Sequence, residues 1–366
     1  MAQKIVWDRY IRLFHWGLVA TIAGAAVTGF LMGAEALLIH IVTGTLAVIL
    51  VTSRIVWGFL GGTYARFSSF TPRPRDVLAH LRGGGVRHLG HNPLGALMVL
   101  ALLATILGIG LSGLAVLGGT LKTGPLSGLS FDLGRTLREG HELLATGLLV
   151  LIGLHLGGVI FESLRSRENL ARAMVTGRKP SRAGDHPDAP RKAHPRAAIA
   201  LGAVLVLVLG LGGLAIAATN RPVPGAPVAE WDALTQDECS ACHMTYHPSL
   251  LPRTNWRALM AGLDDHFGED ASLPADATRQ ITDWLEANAA ETADTLPARR
   301  LGLGAQADTL RLTETRFWKR THRDIPDATF TRKPVLSRAN CRACHADAET
   351  GWFSPFQISI PKETLQ

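Results

Sequence analysis

Cysteine is missing from the first 238 residues of this 366-residue chain. Charged residues make up only 18% of it and aromatics 6%. The shortage of charge, with 47% hydrophobic residues and positive mean hydropathy, excludes an ordinary soluble enzyme and implies an integral membrane protein. Acidic residues are also scarce where basic ones are not: residues 1–218 hold 21 Lys and Arg against 10 Asp and Glu, whereas residues 219–366 hold 16 against 20. A nucleic-acid binder would spread its positive charge more evenly, so no nucleic-acid partner is expected.

The four cysteines fall in two identical frames, Cys239-Ser-Ala-Cys242-His243 and Cys341-Arg-Ala-Cys344-His345. Two Cys-x-x-Cys pairs suggest zinc, but the ~100 residues between them fit no usual zinc spacing. Each is followed directly by histidine, which is the frame of covalent c-type haem attachment.

Five apolar runs are expected to span a membrane: about Leu13–Gly33, Ala36–Leu60, Asn92–Gly119, Gly140–Glu162 and Ala197–Ala218. The first is read as a retained helix and not as a signal peptide, because the next span follows almost at once. The third contains Gly108-Ile-Gly110-Leu-Ser-Gly113, which matches G-x-G-x-x-G. Inside an apolar run with no preceding strand, this reads as close helix packing and not as a dinucleotide site. The fifth has no polar residue in its core and reads as a tether. Eighteen Lys and Arg lie in the N-terminus, the loop of residues 61–92 with Arg54 just before it, and the stretch Arg165–Arg196, against three (Lys122, Arg135 and Arg138) in the remaining loops. The positive-inside rule then puts the N-terminus in the cytoplasm, and five spans deliver the C-terminal part to the periplasm of an inner membrane.

Histidines inside apolar spans mark functional sites by default. His141 and His155 are fourteen residues apart on the fourth span, so fourteen steps of ~100° return the second ring to within ~40° of the first, ~21 Å along the axis. His15 opens the first span and His40 the second. Matching depths pairs His40 with His141 toward the periplasm and His15 with His155 toward the cytoplasm, which suggests two stacked bis-histidine haems b inside a four-helix bundle. Arg12 and Arg54 lie at the cytoplasmic level, and Lys122, Arg135 and Arg138 near the periplasmic one, as candidate partners of haem propionates. His80, His88 and His91 sit in a polar loop and read as solvent-exposed.

After a Pro-rich linker at residues 221–227, expected to be stiff and extended, helix-like segments run over Thr254–Phe267, Pro274–Ala290 and Thr313–Ile325. Three histidines compete as distal ligands of the haems c. His247 follows His243 by four residues and precedes Pro248, so it reaches the far face poorly. His266 closes a helical stripe with Trp256, Leu259 and Leu263, and His322 follows Trp318 on its own helix. His266 lies 23 residues after His243 and His322 lies 23 before His345, so the expected pairs are His243 with His266 and His345 with His322, with an exchange of distal ligands between the two haems left open.

Val6-Trp7-Asp8, Arg12-Leu13-Phe14-His15-Trp16, the run from Arg54 to Trp57 and the paired histidines of the fourth span resemble the prokaryotic cytochrome b561 family, which includes b-type cytochrome subunits of nickel-iron hydrogenases. The second half, with Leu250-Leu251-Pro252, His266-Phe267-Gly268 and Thr321-His322-Arg323 between its two attachment frames, resembles the dihaem cytochrome c family. These resemblances imply electron transfer through two haems b, exchanging with quinone or, in some members, superoxide, and a bis-histidine relay of two haems c. The fused c domain departs from the hydrogenase subunits and weighs against a hydrogenase partner.

The expected architecture is all-α: a b561-like membrane domain at 1–180, a basic linker and fifth helix at 181–218, and a small, loop-rich dihaem domain at 219–366. The expected partners are the bilayer, a quinol, and a small periplasmic c-type cytochrome or other soluble acceptor, with homo-oligomerisation left open. The competing functions are a superoxide oxidase or metal reductase steered by Lys122, Arg135 and Arg138, and a gas-binding haem sensor, which would need an open axial position.

Overall fold

The computed structural model describes residues 3–82, 88–182, 192–204, 206, 210, 223–304 and 309–361. They fall into two compact units, Met1–Leu114 with Leu137–Ala217, and Ala115–Thr136 with Ala218–Gln366.

Among the described residues four helices are long and apolar enough to cross a membrane. Helix α1 (Arg9–Phe30) starts where the Asp8 carboxylate accepts the Ile11 N–H at 2.8 Å, satisfying one of the first-turn donors. Helix α2 (Leu37–Leu60) ends at Gly61, and α3 (Pro93–Leu121) is opened by the Asn92 side chain accepting the Gly95 N–H at 2.7 Å. Helix α4 (Phe131–Ser166) begins nine residues before the expected span at Gly140. Asp132 is favoured in the first turn by the helix dipole, and Arg135, Arg138 and Glu139 are good helix formers, so the helix extends beyond the apolar run.

In the first unit Ala47, Val51, Leu103, Ile106 and Leu148 form a core joined by Phe14, Leu18 and Ile22, so all four long helices contribute to it. Large apolar side chains such as Leu13, Val19, Leu111, Leu143 and Ile160 point outward, as a lipid-facing surface requires. At one end, strand β1 (Gln3–Ile5) pairs antiparallel with β2 (Arg178–Pro180) after the short helix α5 (Leu170–Thr176), with Lys4 opposite Lys179. The expected fifth span, Ala197–Ala218, lies mostly outside the described residues; residues 197–204 are helical.

The helices of the second unit include α6 (Ala233–Ser240), α7 (Arg253–Ala261), α8 (Ala275–Ala287), α9 (Arg316–Thr321) and the short α10 (Asp327–Thr331). Leu251, Trp256, Met260, Ile281, Leu285 and Ala289 make its core. The expected helix Thr254–Phe267 is shorter, because Gly262 ends α7 and a single 3₁₀ turn, Leu263–Asp265, follows. His266 therefore sits in a turn rather than closing a helical stripe, and Trp256 packs into the protein core. The described part of the linker, residues 223–227, contains a turn where an extended rod was expected: Gly225 adopts φ +74°, the Ala226 N–H bonds the Val223 carbonyl at 2.9 Å, and the Asp294 N–H bonds the Gly225 carbonyl at 2.8 Å.

Candidate haem centres

Three of the expected histidine pairs come together at nearly one separation. Ring centroids are 6.2 Å apart for His40 and His141, 6.1 Å for His243 and His266, and 6.2 Å for His322 and His345. Metal–imidazole bonds of about 2.0 Å on opposite sides, with each centroid roughly 1.1 Å behind its ligating nitrogen, put two trans histidines about 6.2 Å apart. The pairs thus fit a six-coordinate iron. His155 lies close enough to His15 to act on it electrostatically.

The His40 Nδ1 lies 3.0 Å from the Ala25 carbonyl and the His141 Nδ1 3.0 Å from the Ile109 carbonyl. Since a carbonyl only accepts, each Nδ1 carries the proton and each Nε2 keeps its lone pair, the tautomer that a metal requires. In the second unit His322 Nδ1 donates to the Trp318 carbonyl at 2.9 Å, with the two rings stacked at 4.4 Å, and His345 packs against Phe353 at 5.1 Å. Burial holds His322 and His345 below the ordinary imidazole range, and burial followed by the neighbouring His243 and Arg311 does the same for His266. A neutral imidazole is the ligating form.

His247 is fully buried, and both its nitrogens are taken. Nε2 donates to the Val228 carbonyl at 2.9 Å, and Nδ1 accepts from the Ser249 hydroxyl at 2.8 Å and the Ser249 N–H at 3.2 Å. All four cysteines are free, and burial pushes the Cys341 thiol up to about 11. Among the described residues no three His, Cys, Asp or Glu side chains gather as a metal cluster, so the two Cys-x-x-Cys frames do not converge as a zinc site would.

The basic residues divide. Arg54 is buried with Nη1 unpaired, and Arg12 donates through Nη1 to the Val175 carbonyl at 2.8 Å while its Nε has no partner. His15 Nδ1 is likewise buried without one. Buried donors lacking acceptors are costly, so this group fits an anionic, oxygen-rich group such as a propionate. Lys122 differs from its expected role. Its ammonium is buried, 2.6 Å from Asp294 and 2.6 Å from the Leu129 carbonyl, which leaves it committed to the protein. Arg138 pairs with Glu142 at 2.9 Å on the exposed surface, and Arg135 is exposed.

Sequence reasoning missed several residues. His91 is not a solvent-exposed loop residue: its ring packs 4.8 Å from Trp7 and 4.7 Å from Phe70, and burial pushes it down to about 3. Tyr246 lies 5.2 Å from His243, and its hydroxyl donates to the Ala339 carbonyl. Glu349 accepts the Thr245 N–H at 3.3 Å and pairs with Arg342 at 3.4 Å, so Tyr246 and Glu349 tie the two attachment frames together. No local signal marks these partners, which lie ~90 to 105 residues apart in the chain.

The family profile for prokaryotic cytochrome b561 matches residues 6–177 and that for dihaem cytochrome c matches residues 235–353. The chain is a cytochrome b561 domain joined to a dihaem cytochrome c domain. The b561 domain is similar to a probable Ni/Fe-hydrogenase B-type cytochrome subunit of Azotobacter vinelandii, 27% identical over 211 residues, covering 47% of this chain and 86% of that one. The dihaem domain is similar to the crystal structure of DHC from Rhodobacter sphaeroides, at 42% identity over 34% of this chain and 98% of that chain, with a TM-score of 0.28. A dihaem cytochrome c of Shewanella baltica OS155 is 35% identical, covering 35% of this chain and 92% of that chain, with a TM-score of 0.29. The b561–dihaem c chain is therefore an electron-transport protein of the membrane that binds haem b in its first domain and two haems c in its second.

Proposed function

We propose that this cytochrome carries electrons across the bacterial inner membrane from a quinol, through two haems b, to the two haems c and on to a soluble periplasmic acceptor such as a small c-type cytochrome. The observation that supports this reading is the common 6.1–6.2 Å separation of the three histidine pairs, which matches the spacing two histidines would have if they held one iron between them. Each haem supplies a one-electron iron couple, and six-coordination suits it to electron transfer rather than ligand binding.

In this reading His40 and His141 hold the haem b nearer the periplasm, and His15 and His155 the one nearer the cytoplasm, with Arg12 and Arg54 offering their unpaired donors to its propionates. Cys239, Cys242 and His243 attach one haem c with His266 opposite; Cys341, Cys344 and His345 attach the other with His322 opposite. The excess of basic residues in the first, third and fifth extramembrane segments supports a cytoplasmic N-terminus and, with Ala197–Ala218 as a fifth span, a periplasmic dihaem domain. An anion-steering rim for superoxide loses its buried member, since Lys122 is held by Asp294. A gas sensor would need an open axial position, against which the three close pairs weigh.

Stopped-flow mixing of the oxidised protein with a short-chain quinol tests the reading. Absorbance of reduced haem b should appear first and that of reduced haem c afterwards; absence of reduction by quinol would overturn it.

A further inference from the structure

The Gly108-Ile-Gly110-Leu-Ser-Gly113 segment, read from sequence as helix packing, lies against His141, and a second copy of its pattern lies against His40. On α1 the segment is Gly24-Ala-Ala-Val-Thr28-Gly29 and on α3 it is Gly108 to Gly113, both G-x-x-x-[ST]-G. Each holds one histidine of the facing helix in the same way. The carbonyl one residue after the first glycine, Ala25 or Ile109, accepts from Nδ1 at 3.0 Å. The hydroxyl three residues later lies beside the same nitrogen, Thr28 at 3.3 Å and Ser112 at 3.1 Å. The glycine next to it, Gly29 or Gly113, leaves room for the ring: a methyl group there would sit 3.0 or 3.1 Å from the imidazole Cε1.

The hydroxyl protons are already spent. Thr28 donates to Gly24 at 2.7 Å and Ser112 to Gly108 at 2.8 Å, each a bond back along its own helix. The oxygens therefore face Nδ1 with lone pairs, and the ring N–H is shared between a carbonyl and a hydroxyl. Drawing that proton away makes the imidazole a stronger donor at Nε2, which favours the oxidised iron. Nothing comparable meets His15, whose Nδ1 is buried without a partner.

We propose that the two G-x-x-x-[ST]-G segments are matched cradles in which Thr28 and Ser112 act as positioning residues, orienting His40 and His141 and lowering the potential of the haem b between them relative to the one at His15 and His155. The inference rests on the assignment of His40 and His141 as ligands of one haem b.

Potentiometric titration and low-temperature EPR of the purified, haem-loaded protein test it. Thr28→Val and Ser112→Ala remove the oxygens; each should raise the potential of one haem b, by up to about tenfold in the oxidised-to-reduced equilibrium, ~59 mV for one electron. The low-spin EPR signal of that haem should shift, while the other haem b and both haems c keep their values. Thr28→Ser and Ser112→Thr retain the oxygen and should behave as the parent. If one oxygen-deleted variant fails to assemble, the other cradle reports the same effect independently. Unchanged potentials and spectra in the deletion variants, or a shift confined to the other haem b, would overturn the proposal. Full haem b content in His40→Ala and His141→Ala would instead overturn the ligand assignment beneath it.

Discussion

The Lys122 ammonium and the Asp294 carboxylate form an ion pair at 2.6 Å although 172 residues separate them. The same carboxylate accepts the Phe131 N–H at 2.8 Å and pairs with Arg299 at 2.9 Å. Burial alone would raise the Asp294 carboxyl, but Lys122, the Phe131 N–H and Arg299 together hold it below its ordinary value. Removing one partner of a buried pair strands the other charge, at a cost of about 3–5 kcal/mol. Asp294→Ala should therefore lower the urea midpoint of the purified protein strongly. The folded carboxyl titrates below the unfolded one, so this contribution is complete above the ordinary carboxylate range and is lost as pH falls through it. A midpoint unchanged by the substitution would show the pair to be dispensable.

Loss of a single haem b is expected from His141→Ala. The haem proposed at His40 and His141 should leave while the one proposed at His15 and His155 stays, because the two proposed sites share helix α4 but no ligand. Pyridine haemochrome content and redox difference spectra measure this; loss of the haem at His15 instead would refute the depth matching.

The distal ligands of the haems c can be separated by methionine substitution. His266→Met and His322→Met should each convert one haem c to His/Met ligation and raise its potential. His247→Met should leave both potentials alone yet destabilise the domain by about 1–3 kcal/mol, since the Val228 carbonyl and Ser249 lose their buried partner. A potential shift from His247→Met would overturn the assignment.

His91 sets a pH dependence. Its folded value near 3 lies below the ordinary imidazole value of about 6.5, so the unfolded state binds the proton more readily. The stabilising contribution is fully present above pH ~6.5 and declines as pH falls from there toward 3. Thermal unfolding in detergent should show the midpoint dropping below pH ~6.5, and His91→Phe, which keeps a ring between Trp7 and Phe70, should flatten that slope. Identical slopes for the two proteins would remove His91 from the account.

What could be read from the residues is what depends on local order. Each Cys-x-x-Cys-His frame is contiguous. The long helices follow from apolar runs, and the common face of His141 and His155 follows from helix periodicity. Even so, α4 began at Phe131 and not Gly140, because apolar length reports burial in the membrane and not where a helix starts.

Tertiary structure alone decided the rest, because those features depend on which distant groups meet. A lysine near a membrane face looks available to an anion until Asp294, in another part of the chain, neutralises it. His91 looks like a loop residue until Trp7 and Phe70 close over it. G-x-x-x-[ST]-G is silent about any histidine, since the carbonyl, hydroxyl and glycine of each segment find His40 or His141 only when a second helix packs alongside; hydrogen bonds across 15 and 32 residues leave no period in the sequence.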